Sequence, residues 1–260
     1  MTIISSIVLG IIEGVTEFLP ISSTGHMILA SELLRLSQTE FLKSFEIIIQ
    51  LGAILAVVAI YWRRLLVNLE VLKRVVVAFI PTGLIGLILY KFIKSYLLGN
   101  NQVVLWALFL GGIVIIAFEL WNKKNQGENN ISEIENISYK QAIGLGLFQS
   151  IAMIPGVSRS AATIIGGLSM KIKRETIVEF SFLLAVPTMV AATGLDLLKN
   201  SLSFSTSEIG LLLTGFCVSF VVAILAIKVF ISYVQKHDFI AFGVYRIILA
   251  LVFGVWFFLW

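Results

Sequence analysis

Apolar residues run almost unbroken through six stretches of the chain, at approximately 44–62, 75–93, 102–121, 177–198, 209–233 and 239–260. Each has about the 20 residues a helix needs to cross a hydrocarbon core roughly 30 Å thick. The pattern predicts an all-α polytopic membrane protein. Two further segments are apolar but broken: residues 9–26, LGIIEGVTEFLPISSTGH, and 145–163, LGLFQSIAMIPGVSRSAAT, each interrupted by a proline and crowded with polar groups. Ionisable side chains at membrane depth are costly, so Glu13, Glu17, His26 and Arg159 read as a functional site facing the protein interior.

The two broken segments are copies of one device. A shift of 135 residues lays Pro20 over Pro155, Ser23 over Ser158, Thr24 over Arg159 and Phe45 over Phe180. Each half is then one broken segment followed by three spans: a first repeat at 1–121, a linker at 122–138 and a second repeat at 139–260. Three is odd, so if each broken segment enters and leaves on one side, the second repeat is inverted relative to the first. Inverted repeats with discontinuous helices place their sites near the bilayer midplane, where the repeats meet.

Basic residues bear on the orientation. With the N-terminus outside, Arg63, Arg64, Lys73, Arg74, Lys123, Lys124, Lys140, Lys171, Lys173, Arg174 and Lys236 fall on the cytoplasmic side, and Arg35, Lys43, Lys94 and Lys199 on the outer side. Eleven against four obeys the positive-inside rule and gives six full spans with two re-entrant segments dipping in from opposite faces. Trp62, Trp121, Trp256 and Trp260, near span ends, read as interfacial belt residues. The polar stretch at 122–138 is expected to be a cytoplasmic linker without chemistry.

Composition agrees and excludes little else. Hydrophobic residues make up 58% and charged ones only 13%, where soluble domains carry about 25% charged residues. A formal charge of +4 is modest and points to no nucleic-acid partner. The first residues lack a basic n-region and a small-residue cleavage site, so the N-terminal apolar run is expected to stay in the mature protein. Cys217, the single cysteine, permits neither a disulfide framework nor a thiolate metal site; inside an apolar run it reads as a small packing residue.

The chemistry concentrates in the breaks. Glu13 and Glu17, four apart, share one helix face, where they can hold a divalent cation or one can act as base beside the other. Pro20 stops that helix, and Ser22, Ser23 and Thr24 offer N-cap hydroxyls to the next, expected to begin near Gly25 and His26. A capped helix start with free amides suits phosphate. In the second break Ser158, Ser160 and Thr163 suggest another capped start, now with the guanidinium of Arg159, which either clamps a phosphate or pairs with a glutamate across the repeats. Glu46 and Gln50, one turn apart, either line the same cavity or bond between helices. Arg246 lies within a span and has no role legible from the sequence.

The runs EGVTEFLPISSTGH at 13–26, FEIIIQLGAILAVV at 45–58 and PGVSRSAAT at 155–163 resemble bacterial undecaprenyl-pyrophosphate phosphatases of the bacitracin-resistance type over essentially the whole chain. The resemblance implies a multi-pass inner-membrane hydrolase that converts undecaprenyl pyrophosphate to undecaprenyl phosphate. Its site would open to the extracytoplasmic side. It further implies that Glu13 and Glu17 are required acids associated with a divalent metal, Mg²⁺ or Ca²⁺. Ser23 and His26 would lie at the reacting phosphate, and Ser158 and Arg159 would bind the pyrophosphate, with Thr163 nearby. At Ala161 the chain departs from the glycine usual in that motif. The nucleophile stays open between Ser23, His26 and a water activated by His26, and the assembly between monomer and homodimer. The rival class is a transporter, which inverted repeats also suit; the acids, histidine and hydroxyls gathered around an anion site are more than transport requires.

Overall fold

The computed structural model describes residues 1–97, 100–124, 131–199 and 204–259; Trp260 and linker residues 125–130 lie outside them. Among the described residues ten α-helices carry the fold, with one isolated β-bridge between Ile131 and Ile172. Six are long and apolar enough to cross a membrane: α3 (Glu40–Trp62), α4 (Leu69–Phe92), α5 (Asn101–Lys124), α8 (Arg174–Lys199), α9 (Thr206–Val234) and α10 (Ile240–Leu259). The chain is an all-α polytopic membrane protein. Trp62, Trp121 and Trp256 point outward from the helix ends.

The broken segments fold as two pairs of short helices, α1 (Ile3–Thr16) with α2 (Ser23–Leu33), and α6 (Tyr139–Ser150) with α7 (Arg159–Ser169). At 1.5 Å per residue these helices are roughly 16–21 Å long, too short to cross alone. The order of one broken pair followed by three long helices therefore occurs twice.

The halves interlock rather than stand side by side. Helix α1 packs along α9 and α6 along α4; α3 also packs on α9 and α8 on α4; α3 meets α8, and α5 meets α10. Exchanging each helix for its counterpart in the other half returns the same set of contacts. In lipid, backbones approach closely where residues are small. A Cβ on Gly10 would stand 2.8 Å from the carbonyl oxygen of Gly215 on α9, and one on Gly146 only 2.0 Å from that of Ala78 on α4. Thr82 uses the close approach, donating a 2.8 Å hydrogen bond to the Gly146 carbonyl.

Where it is described, the linker packs against the core. Ile134 and Ile137 are fully buried in the main core, Thr176 donates to the Ser132 carbonyl at 2.8 Å, and Asn68 donates to Glu135 at 2.6 Å. The signal was the spacing of Ile131, Ile134 and Ile137 inside a polar stretch, which lets one face dock on α4 and α8. Cys217 is exposed on α9 rather than packed inside. The span-end arginine Arg174 has a buried partner, donating at 2.7 and 3.0 Å to both oxygens of Glu119 on α5.

Candidate active site

Both breaks turn on a serine in the left-handed region, Ser22 at φ 72° and Ser158 at φ 78°. Each caps the helix that follows: the hydroxyl of Ser22 accepts from the amide of Gly25, and that of Ser158 from the amide of Ala161. Non-glycine residues held at such angles are strained and cluster at functional sites. Helix α2 therefore starts at Ser23, two residues earlier than expected, and α7 at Arg159. The caps also correct the repeat register. Ser22 corresponds to Ser158 and Ser23 to Arg159, a shift of 136 that the N-caps of α1 and α6, Thr2 and Ser138, share; only the proline is displaced, Pro155 lying one residue further before its cap than Pro20 does, with Gly156 after it at φ 95°.

The register decides what meets. Helix α1 ends at Thr16, and Glu17 follows as its C-cap, its amide donating to the carbonyl of Glu13. The Glu17 carboxylate receives the first residue of both returning helices. Nη2 of Arg159 donates to Oε1 at 2.9 Å and the hydroxyl of Ser23 to Oε2 at 2.5 Å, while Gln50 on α3 stands 3.4 Å from Oε2. The other arm of the guanidinium, Nη1, donates to the Ser181 carbonyl on α8 at 2.7 Å. Glu17, Ser23 and Arg159 are all buried. Two polar atoms beside this cluster, Oε1 of Glu13 and Nε of Arg159, are buried without a hydrogen-bond partner. An acceptor and a donor left unpaired in low dielectric are costly unless a ligand completes them.

Arg246, without a role in the sequence, holds the breaks in place. Fully buried on α10, it donates to the carbonyls of Pro20 and Val157 through Nη1 (3.3 and 2.9 Å) and of Gly156 and Ala107 through Nη2 (2.9 and 2.8 Å). Its Nε donates to the carbonyl of Leu108 at 3.3 Å. One guanidinium thus satisfies carbonyls that the two breaks free. Gly111 on α5 makes room for it, since a Cβ there would lie 2.1 Å from Nη2. Gly111→Ala is expected to destabilise the protein by about 1–3 kcal/mol, the usual cost of overpacking. A thermal melt in detergent reads this, and an unchanged Tm would mean that the staple tolerates displacement.

A family model described as "Bacitracin resistance protein BacA" matches residues 6–252, a region that takes in both breaks and the whole Glu17–Arg159 cluster. The chain belongs to the BacA family. It is 54% identical to the undecaprenyl-diphosphatase of Persephonella marina over 97% of this chain and 98% of that one. It is 49% identical to that of Aquifex aeolicus over 99% of both chains.

Within this BacA-family chain the sequence-expected residues part into two groups. Glu13, Glu17, Ser23 and Arg159 come together. The hydroxyls of the others engage backbone: Ser160 donates to the Phe18 carbonyl at 2.8 Å and so ties α7 to the first break, and Thr163 donates to the Arg159 carbonyl at 3.0 Å. Ser22 and Ser158 are caps, and Thr24 is exposed. The side chain of Ala161 is buried, and its amide meets the cap of Ser158. His26 hydrogen-bonds neither Glu17 nor Ser23. Its Nδ1 lies 2.8 Å from the Ser22 carbonyl and its Nε2 2.7 Å from the hydroxyl of Tyr245, an aromatic in an apolar run that carries no signal in the sequence. Glu46 accepts from Ser31 at 3.1 Å. In the second half Gln149 stands where Glu13 stands in the first, 136 residues on, so the paired carboxylates belong to the first break alone.

Among the described residues no three of His, Cys, Asp and Glu form a cage for a metal. The donors present are carboxylates and a hydroxyl, hard oxygen ligands. Mg²⁺ is commonly held by one or two carboxylates plus substrate phosphates and water. The unpartnered oxygen of Glu13 fits that kind of site.

Proposed function

We infer that this chain hydrolyses undecaprenyl pyrophosphate to undecaprenyl phosphate and inorganic phosphate, recycling a lipid carrier for cell-wall synthesis. Its identity of about one half to undecaprenyl-diphosphatases, along nearly the full length of both chains, carries this reading. The buried cluster where the two breaks meet supplies the chemistry. The membrane is the bacterial inner membrane, and the two halves are repeats of opposite orientation. The distribution of basic residues and the exchangeable helix contacts support that arrangement, in which the first break is reached from the extracytoplasmic face.

Phosphoryl transfer is catalysed chiefly by positioning and by stabilising charge on the transferring group. Arg159 is the cation for that charge, with its unpartnered Nε turned toward neither Glu17 nor Ser181. The hydroxyl of Ser23 already donates a hydrogen bond to Glu17, so it is the better-placed nucleophile than His26, whose ring nitrogens are bonded to Ser22 and Tyr245. In that route the Ser23 oxygen forms a bond to the terminal phosphorus and Glu17 takes the hydroxyl proton. The bridging P–O bond breaks to release undecaprenyl phosphate, and water then hydrolyses the phosphoserine. A divalent cation, Mg²⁺ or Ca²⁺, would be held by Glu13 and Glu17 and would neutralise and orient the diphosphate.

The test is phosphate release from undecaprenyl pyrophosphate by purified protein in detergent with Mg²⁺ or Ca²⁺. Release is expected with either cation and is expected to disappear with EDTA and return on adding metal back. Undiminished release in EDTA would remove the cation from the scheme, and no release under any metal would remove the phosphatase reading.

A further inference from the structure

Both nitrogens of the His26 ring are committed. Nδ1 lies 2.8 Å from the carbonyl oxygen of Ser22; a carbonyl only accepts, so Nδ1 carries a proton. Nε2 is then the one ring nitrogen with a lone pair through which a proton can be taken up or returned. Facing it at 2.7 Å is the hydroxyl of Tyr245, from the far end of the sequence. The two rings lie within 7° of parallel, their centroids 5.5 Å apart. Tyr245 is itself held in place, because its neighbour Arg246 binds the carbonyls of both breaks. Ser22, the other partner of the ring, is the strained cap of α2, two residues past Pro20.

We propose that Tyr245 is a positioning residue for the phosphatase reaction, acting through His26. Together with the Ser22 carbonyl it fixes the ring in the Nδ1–H tautomer and holds the Nε2 lone pair at a defined point beside the first break. Without the hydroxyl the ring is held by the Ser22 carbonyl alone, so it turns over and exchanges tautomers more readily. For part of the time the ring would then present the wrong nitrogen to a phosphate bound at the first break. The role in turnover rests on the phosphatase reading; the tautomer and its partner do not.

The chain has two histidines, so His237→Gln leaves His26 as the single imidazole. That variant, labelled with ¹⁵N-histidine and placed in lipid nanodiscs, should show one protonated and one unprotonated ring nitrogen, with Nδ1 the protonated one. Adding Tyr245→Phe should shift the Nε2 signal and bring in the second tautomer. A parent spectrum with Nε2 protonated and Nδ1 bare would overturn the proposal without any further variant. So would spectra that Tyr245→Phe leaves unchanged. In phosphate release, Tyr245→Phe is expected to lower kcat about tenfold or more, as losing an orienting partner commonly does, with KM little changed. The loss should vanish in a His26→Ala background. An equal loss in both backgrounds would mean that Tyr245 acts elsewhere. Because the spectra do not depend on turnover, failure of the phosphatase reading would be told apart from failure of the tautomer lock.

Discussion

Glu17→Gln is expected to lower phosphate release from undecaprenyl pyrophosphate by about two to three orders of magnitude, the range for losing a preorganised electrostatic group. The substitution keeps the volume of the side chain and removes its charge. Each carboxylate oxygen of Glu17 accepts from a donor, Oε1 from Arg159 and Oε2 from Ser23. An amide must present an NH₂ group to one of them, so a donor meets a donor. If the amide nitrogen faces Ser23, the hydroxyl loses the group that takes its proton. In either orientation the buried guanidinium of Arg159 loses its counter-charge, and breaking such a pair costs about 3–5 kcal/mol. A reduced melting temperature should therefore accompany the lost turnover. Full turnover in this variant would remove Glu17 from the reaction.

Arg159→Lys is expected to lose about a hundredfold in turnover at saturating substrate while keeping the charge. The guanidinium has a planar fork: Nη1 reaches the Ser181 carbonyl on α8, Nη2 reaches Glu17, and Nε remains for a ligand. An ammonium is one point at the end of a flexible stem. It can neutralise Glu17 but cannot also span to α8 and present a third donor. Stability should fall less than in Glu17→Gln, because no buried charge is left unpaired. Wild-type turnover would show that charge at this place suffices and that the fork is structural.

Much of the architecture was legible in the chain. Six apolar runs of spanning length became six long helices, since bilayer thickness leaves a helix few other lengths. Glu13, Glu17 and Arg159 stood out because an ionisable group in an apolar run must find a partner, and Glu17 and Arg159 found each other. The one-residue difference between the breaks was hidden, because Pro20 and Pro155 as well as Phe45 and Phe180 align at 135 while the helix caps align at 136. The caps before the breaks, Thr2 and Ser138, align at 136 as well, so it is Pro155 that lies one residue further from its cap than Pro20 does, beside Gly156, where glycine accepts a positive φ. Arg246 was visible as a charge in a span, yet its partners are five backbone carbonyls, which leave no mark in a sequence. Tyr245 could not be distinguished from any other aromatic in an apolar helix; what gives it a role is the meeting of α10 with α2, fixed only by the packing of the whole bundle. The linker isoleucines carried a helix-like spacing that its polar neighbours masked.

That a carboxylate from the first break and a guanidinium from the second form one site is tested most directly by a double-mutant cycle on phosphate release. Glu17→Gln, Arg159→Lys and the double variant would be compared in one detergent and one cation. Groups that act as a unit give strongly non-additive losses. The expected result is a double variant no slower than the slower single variant, within about threefold. Losses that multiply would place the two residues in separate roles and contradict a shared site.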